Sequence, residues 1–150
     1  MSFVRVERVV HAPPAKVFDH VAAHHFDNHA KWDPDVVEMR QTSPGPVSVC
    51  TTASVVRRQG KRRVEGFATV TAYEPVRFAV WRVAFGQFEL QQDVALAPEE
   101  AGAATRLSLG IETTAHGPLR LLLPFMRPRF RTTMERSLAA IAALVEPSTQ

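Results

Sequence analysis

Four histidines near the N-terminus are the first residues of this chain whose spacing suits chemistry. His20 and His24 are four residues apart, and so are His25 and His29. On a helix, side chains at this spacing lie on one face, and paired imidazoles of this kind hold metal ions in many proteins. However, the chain has no HExxH motif, and a predicted helix break adjoins His24 and His25. We therefore expect incidental, solvated histidines and no metal site.

Two polar residues within predicted strands are the next candidates. Arg82 directly follows Trp81, and Gln92 has the same strand parity as Phe88 and Val94. A buried polar group costs about 1–3 kcal/mol unless it is paired. An inward Arg82 or Gln92 would therefore need a partner or a ligand. The alternation predicts that Arg82 faces solvent, whereas both orientations stay open for Gln92.

Familiar catalytic and cofactor-binding motifs are absent from the sequence. It contains no Walker loop, no GxGxxG and no GxSxG. The single cysteine, Cys50, has no Cys–His signature and is predicted to be buried and inert in a strand. We therefore expect no cofactor. A lone cysteine also suits a reducing compartment, and no signal peptide pattern is visible, so a cytoplasmic location is expected.

The charge balance is mildly basic, with a net charge of +3 from 15 Arg and 3 Lys against 15 acidic residues. Five of these cations surround a predicted hairpin turn at residues 57–63, which is either a solvated tip or a contact for an anionic partner or lipid headgroups. No aromatic residues interleave with the basic ones as single-stranded nucleic acids require, so no nucleic-acid partner is expected. No apolar run reaches the roughly 18 residues of a membrane span, so no integral membrane association is expected.

A long amphipathic helix is predicted at the C-terminus, over residues 116–146. Its apolar residues recur at spacings of three and four: Leu119, Leu122, Leu123, Met126, Phe130, Met134, Leu138, Ile141 and Val145. Pro118 suits a first turn, but Pro124 and Pro128 each remove a backbone hydrogen bond. We therefore predict a short first piece over 118–123. The main helix then starts near Pro124 or Pro128 and ends near Glu146.

The chain before this helix is predicted to be mostly strand. A first strand covers 3–10, a short helix 14–23, and a second short helix or a turn lies around 26–30. Six more strands are predicted at 36–42, 47–57, 62–73, 77–85, 88–96 and 106–114. Short loops between successive strands favour an antiparallel meander. The apolar face of the long helix must be buried against this sheet, and a curved sheet closed by one helix usually leaves a ligand cavity.

Local motifs agree with this order of elements. Residues 10–18 run from a strand through Ala-Pro into a helix that carries Val-Phe, and Trp32 precedes Pro34. Tyr73-Glu74-Pro75 and Thr105-Arg106-Leu107 stand at strand ends and starts. Together these features resemble the START-like or SRPBCC superfamily, which includes the polyketide cyclase/dehydrase and lipid-transport group. The resemblance covers nearly the whole chain.

The resemblance implies a fold and a place for the site. The fold would be an α+β helix-grip fold in a single domain over 1–150. Its curved antiparallel sheet of about seven strands would wrap around the C-terminal helix, with two short helices after the first strand. The cavity would lie between sheet and helix, with a helix break near Met126 beside its mouth. The predicted ligand-binding residues are Phe26, Trp32, Tyr73, Trp81, Phe88, Met126 and Phe130.

Two functions follow from this resemblance. The leading hypothesis is binding or carriage of a small hydrophobic or aromatic ligand, lipid-like or polyketide-like, by a monomer or homodimer. The alternative is a polyketide cyclase/dehydrase-like enzyme that folds a reactive substrate in the same cavity. Its catalytic candidates are His29, next to the expected mouth, together with Arg82 and Gln92. A third possibility is a protein-partner role carried by an outer patch.

Overall fold

The computed structural model describes residues 2–33, 35–59, 61–86 and 88–147. Its strands are β1 Ser2–Val10, β2 Val36–Gln41, β3 Thr52–Gln59, β4 Arg62–Glu74, β5 Phe78–Phe85, β6 Phe88–Glu99 and β7 Ala104–Ala115. Its α-helices are α1 Pro14–Phe18, α2 His25–Trp32 and α3 Leu123–Val145. A π-helical turn at Asp19–Ala23 joins α1 to α2, and 3-10 turns lie at Glu100–Gly102 and Gly117–Leu122.

The seven strands form one antiparallel sheet in the order β1-β7-β6-β5-β4-β3-β2. The meander predicted from the sequence accounts for β2 to β7, and β1 joins it by pairing with β7. Register shifts at 36–38 in β2 and 70–72 in β4 mark bulges, which bend and twist a sheet. α3 packs against β1, β7 and α2. This arrangement is the predicted helix-grip fold.

Alternation along β5 separates the core from the solvent. Ala79, Trp81, Val83 and Phe85 are buried on one face, whereas Arg82 is exposed on the other. The predicted outward orientation of Arg82 is confirmed, because side chains two apart on a strand share a face.

The C-terminal helix begins where its prolines predict. The 3-10 turn Gly117–Leu122 precedes α3, and Pro124 lies in the first turn of α3. The helix then continues through Pro128, so the predicted break near Met126 is wrong. The hydrogen bond that Pro128 cannot make would have reached the carbonyl of Pro124. That residue is exposed, so water can satisfy its carbonyl.

The predicted strand at 47–57 begins later than expected, at Thr52. The backbone N–H of Ser48 donates to Oγ1 of Thr51 at 2.9 Å, and the N–H of Thr51 donates to the Ser48 carbonyl at 3.1 Å. These bonds close a turn that carries Cys50, whose φ is +75°. The thiol is therefore exposed, and its predicted burial in a strand is wrong.

Over the described ranges, no helix is long and apolar enough to cross a membrane.

Candidate functional site

A cavity of about 100 Å³ lies between the concave face of the sheet, α2 and α3. Apolar side chains from all three contribute to its lining: Trp32, Trp81, Phe85, Phe88, Leu109, Ile111, Met126, Phe130 and Met134. Ligand sites in proteins usually reach roughly 300–1,000 Å³, and a dry cavity of about 150 Å³ holds benzene. The space as it stands is therefore smaller than one that holds benzene, so one aromatic ring would enter only with small shifts of the lining side chains.

Five of the seven predicted ligand-binding residues line this cavity, namely Trp32, Trp81, Phe88, Met126 and Phe130. Phe26 is instead buried in the core, because one helical step of about 100° turns it away from the face that carries His25. Tyr73 lies elsewhere, with its ring edge-on to Phe18 at 5.4 Å between centroids. These two residues are not part of the cavity wall.

A chain of polar groups runs along the cavity side of α2. Nδ1 of His25 lies 3.0 Å from the carbonyl oxygen of Val21, and Nε2 of His25 lies 3.0 Å from Nδ1 of His29. Nε2 of His29 lies 3.4 Å from Oδ2 of Asp33, which accepts a 2.9 Å hydrogen bond from Nη1 of Arg57. Val21, His25, His29 and Asp33 follow one another at spacings of four residues, so they lie on one face of the helical segment.

The predicted solvation of the histidines is therefore wrong for this pair. His25 and His29 are only 3% and 5% exposed, whereas His24 is exposed. The rings also stack on the aromatic wall: centroids of His25 and Trp81 are 4.0 Å apart, and His29 stacks on Trp32 at 5.3 Å. Burial is possible because each ring nitrogen faces a protein hydrogen-bond partner.

The number of protons on the two imidazoles determines which hydrogen bonds this row of polar groups can form. The row has three contacts: Val21 to His25, His25 to His29, and His29 to Asp33. Because the Val21 carbonyl and the Asp33 carboxylate at its ends are both acceptors, each contact needs a proton, which makes three. Two neutral imidazoles carry only two. Whichever tautomers are present, one contact holds no proton while both rings are neutral. A proton on Nε2 of His29 makes the hydrogen bond to Oδ2 of Asp33, 3.4 Å away, so the contact without a proton is one of the other two.

Burial sets the charges of these groups. It lowers the pKa of His25 well below the ordinary value, and a charge on His29 would lower it further. It also lowers the pKa of His29, although the hydrogen bond and charge of Asp33 oppose part of that shift. Burial alone would raise the pKa of Asp33, but the bond to His29 and the charge of Arg57 hold it well below its usual range. At neutral pH the imidazoles are thus neutral and the carboxylate is ionised.

On the sheet side of the cavity, two polar side chains have hydrogen-bonding groups that are not in use. Gln92 is half-buried, and its Oε1 accepts a 2.7 Å hydrogen bond from Nε1 of Trp81. Because the oxygen is engaged, the amide N–H groups remain as donors. Thr113 is 1% exposed, and its Oγ1 has no hydrogen-bond partner among the described residues. Both side chains line the cavity from neighbouring strands β6 and β7.

The remaining candidates are Arg82 and the basic hairpin, and most of their side chains lie apart from the cavity. Arg82 is on the opposite, exposed face of the sheet. Within the hairpin at 57–63, Arg57 turns inward to Asp33, and Arg58 is exposed. Gly60, which the sequence places at the hairpin turn, lies outside the described residues, as does Pro34. Within those residues, no group of three or more His, Cys, Asp or Glu side chains could hold a metal ion.

Sequence reasoning missed His25, Asp33, Arg57 and Thr113 as cavity residues. A usable signal existed for two of them, because His25, His29 and Asp33 continue one spacing of four. Arg57 gave no such signal, since it reaches Asp33 across 24 positions of sequence. Strand alternation in the sequence places Thr113 on the inward face of β7. Its lack of a hydrogen-bond partner could not be predicted, because that depends on how the sheet packs.

The fold and cavity agree with the family comparison. Residues 1–146 match the family described as polyketide cyclase / dehydrase and lipid transport, and the chain belongs to that family. Membership supports a ligand-binding or polyketide-cyclase-type role. None of the curated proteins matches the chain.

Solved structures with the same fold span nearly the whole chain. The protein TTHA0849 from Thermus thermophilus is 17% identical, with a TM-score of 0.77 and coverage of 96% of this chain and 97% of its own. A START superfamily protein from Mycobacterium smegmatis is 13% identical, with a TM-score of 0.77 and coverage of 95% and 96%. The ZhuI aromatase/cyclase from Streptomyces sp. R1128 is 14% identical, with a TM-score of 0.74 and coverage of 96% and 93%. At identities this low, the structural similarity shows the shared fold alone.

Proposed function

We propose that the protein binds and carries a small aromatic molecule that has one uncharged polar group. The observation that carries this proposal is the buried hydroxyl of Thr113, which lines the cavity and lacks a partner among the described residues. An unpaired buried hydroxyl costs about 1–3 kcal/mol, which a ligand hydrogen bond would recover. The free amide of Gln92 provides a donor on the neighbouring strand.

The shape of the cavity supports an aromatic group of modest size. A volume of about 100 Å³ would take one ring between Trp81 and α3 after small shifts of the side chains that line it. Met126 and Met134 form part of the α3 side, and methionine side chains adapt easily to ligands of different shape. A carbonyl or neutral hydroxyl on that ring would match Thr113 and Gln92, because neither carries a charge.

The polar chain on α2 favours binding over catalysis. All four ring nitrogens of His25 and His29 face protein groups, so the cavity meets ring carbons and faces. A general base must come within hydrogen-bond reach of the proton that it removes. Arg82, the third candidate for such chemistry, lies on the outer face of the sheet.

A second candidate function is cyclase-type chemistry, and one observation favours it. Nε2 of His29 lies 3.4 Å from the ionised carboxylate of Asp33, and both residues border the cavity. Nδ1 of His29, which carries no proton when the neutral ring donates from Nε2 to Asp33, could take up the proton of an enolisable ligand after a rotation of the ring. The carboxylate of Asp33 would stabilise the imidazolium that forms.

Matched probes test the binding proposal. Titration calorimetry would compare acetophenone with ethylbenzene, which has a similar shape but no carbonyl. We expect the native protein to prefer acetophenone by about tenfold, the value of one net hydrogen bond, and Thr113→Val to lose that preference. Thr114→Val is the control, because Thr114 is the next residue on the opposite face. Failure of both probes to bind would overturn the proposal.

The catalytic candidate needs a separate measurement. A soluble poly-β-ketone thioester would be incubated with the native protein, His29→Gln and Arg82→Gln, and its products followed by mass spectrometry. Accelerated cyclisation that His29→Gln abolishes and Arg82→Gln preserves would establish the enzyme role. Equal rates with and without protein would exclude it for this substrate class.

A further inference from the structure

The segment that leads into α3 exposes large apolar side chains. Leu121 is 69% exposed, Leu122 is 50% exposed and Phe125 is 81% exposed. They lie within five residues, at the point where the 3-10 turn passes into α3. Single exposed leucines are common on protein surfaces, but three neighbouring large side chains form a patch that calls for a partner. We call residues 120–129 the apolar tip.

The same segment carries only positive charge. Arg120, Arg127 and Arg129 are all exposed. None of the ion pairs formed by the described residues includes them. The sequence contains no Asp or Glu between Glu112 and Glu135. The apolar tip is therefore surrounded by cations whose charge is not neutralised by nearby acidic side chains of its own segment.

We propose that the apolar tip docks on the surface of a lipid bilayer that contains anionic lipids. Exposed leucine and phenylalanine side chains insert among acyl chains at the interface, and flanking arginines bind the headgroup phosphates. The tip supplies both groups within ten residues. This surface interaction is a function beyond the ligand binding proposed above, and it holds whichever molecule the cavity takes.

Charge and side-chain type favour a bilayer over other partners. In a symmetric pair of copies, each tip would bring its own arginines against those of the other copy, and like charges repel. A nucleic acid would satisfy the arginines, but Leu121 and Leu122 have no ring to stack on bases. An anionic bilayer satisfies the cations and the apolar side chains at once.

The tip is also continuous with the cavity wall. Met126, between Phe125 and Arg127 in sequence, lines the cavity from the inner face of the same helical turn. Docking would therefore hold this end of the cavity close to the bilayer surface.

Vesicle binding tests the docking surface with two compositions. Sedimentation would compare phosphatidylcholine vesicles with vesicles that contain one quarter phosphatidylglycerol. We expect binding to the anionic vesicles that weakens with added salt, and little binding to the neutral ones. Arg127→Gln combined with Arg129→Gln should weaken it about 30-fold, from about 1 kcal/mol for each arginine near the surface. Phe125→Ser should weaken it about tenfold or more.

Two control variants keep the test specific. Leu144→Ser removes another exposed leucine from the far end of α3, and Arg82→Gln removes an exposed cation from the outer face of the sheet. Both should bind vesicles as the native protein does. The proposal is overturned if the native protein ignores anionic vesicles, if the tip variants bind equally well, or if the tip variants instead abolish a dimer seen by analytical ultracentrifugation. Phe125 is exposed, so its substitution leaves the core intact.

Discussion

The indole nitrogen of Trp81 donates a 2.7 Å hydrogen bond to Oε1 of Gln92, the residue directly opposite it on the neighbouring strand. This bond satisfies a buried N–H group that would otherwise be costly. It also fixes the orientation of the Gln92 amide, so that its N–H groups point away from Trp81. One cross-strand pair thus both stabilises the sheet and defines a donor in the cavity wall.

Gln92→Leu should lower the free energy of unfolding by about 1–3 kcal/mol, because it leaves the Trp81 N–H without a partner. Urea denaturation measures the change. The matched control is Gln91→Leu, since Gln91 is the adjacent residue and is exposed on the other face. Equal losses in both variants would show that the Trp81 bond contributes nothing measurable.

Thr113→Val should raise the free energy of unfolding of the ligand-free protein by about 1 kcal/mol. Valine has nearly the same shape and removes the unpartnered buried hydroxyl. The same substitution should thus stabilise the protein and remove its preference for the polar ligand, because groups kept for binding often cost stability. Chemical denaturation of this variant beside Thr114→Val provides the comparison, and a loss of stability in Thr113→Val would count against the unpaired state of the hydroxyl.

Stability should fall as the pH decreases below about 6.5. The pKa values of His25 and His29 are lowered in the folded state from 6.5, so the unfolded chain takes up protons first. Each histidine then costs up to about 1.4 kcal/mol for each pH unit until its folded pKa is reached. Asp33 acts in the same direction in more acid solution, because its pKa is held below 3.8 and its stabilisation is lost as the pH falls below that value.

Denaturation between about pH 7 and pH 5 checks the histidine contribution. His25→Phe replaces one buried imidazole with an apolar ring and should flatten the pH dependence, whatever it does to the stability at pH 7. His24→Gln alters an exposed ring and should leave the slope unchanged. A slope that is the same in all three proteins would contradict the buried, neutral state of the pair.

Arg57→Met should lower the free energy of unfolding by about 3 kcal/mol, since it leaves the buried carboxylate of Asp33 without its cation. Methionine keeps much of the apolar stem of the arginine, so the loss reports mainly the missing charge. Arg58→Met removes the neighbouring, exposed cation and should cost less than about 0.5 kcal/mol. Thermal and urea unfolding measure both variants, and equal losses of stability would contradict the prediction.

Local patterns were sufficient to predict the elements of the fold. The prolines at 118 and 124 located the passage from 3-10 turn to helix, because proline fits a first turn and not an interior. Alternation located the outward Arg82 of β5 and the inward Phe88 of β6. The exposed Cys50 escaped prediction because a side-chain bond from Thr51, not an apolar pattern, closes its turn.

The polar part of the site depends on tertiary packing and could not be read in the same way. The ring of His25 packs against Trp81 from β5, and the lowered pKa of Asp33 depends on its bond to His29 and on the charge of Arg57 from β3. Neither Trp81 nor Arg57 is close in sequence to the group that it contacts. Spacing can align groups on a helix, but it does not show which strand will cover them or whether a hydroxyl such as that of Thr113 will find a partner.

The pairing of β1 with β7 has a consequence for the order of folding. Ser2 lies opposite Thr113 and Val10 lies opposite Thr105, so 95 to 111 positions of sequence separate the paired residues of this ladder. During synthesis, β2 to β6 are all made before β7, and until β7 leaves the ribosome β1 lacks its partner strand. Closing such a distant pair is slow, because the loop entropy must be overcome first. β1 is thus among the last strands to find its partner, and the nascent chain exposes apolar Val4 and Val6 to chaperones in the interval.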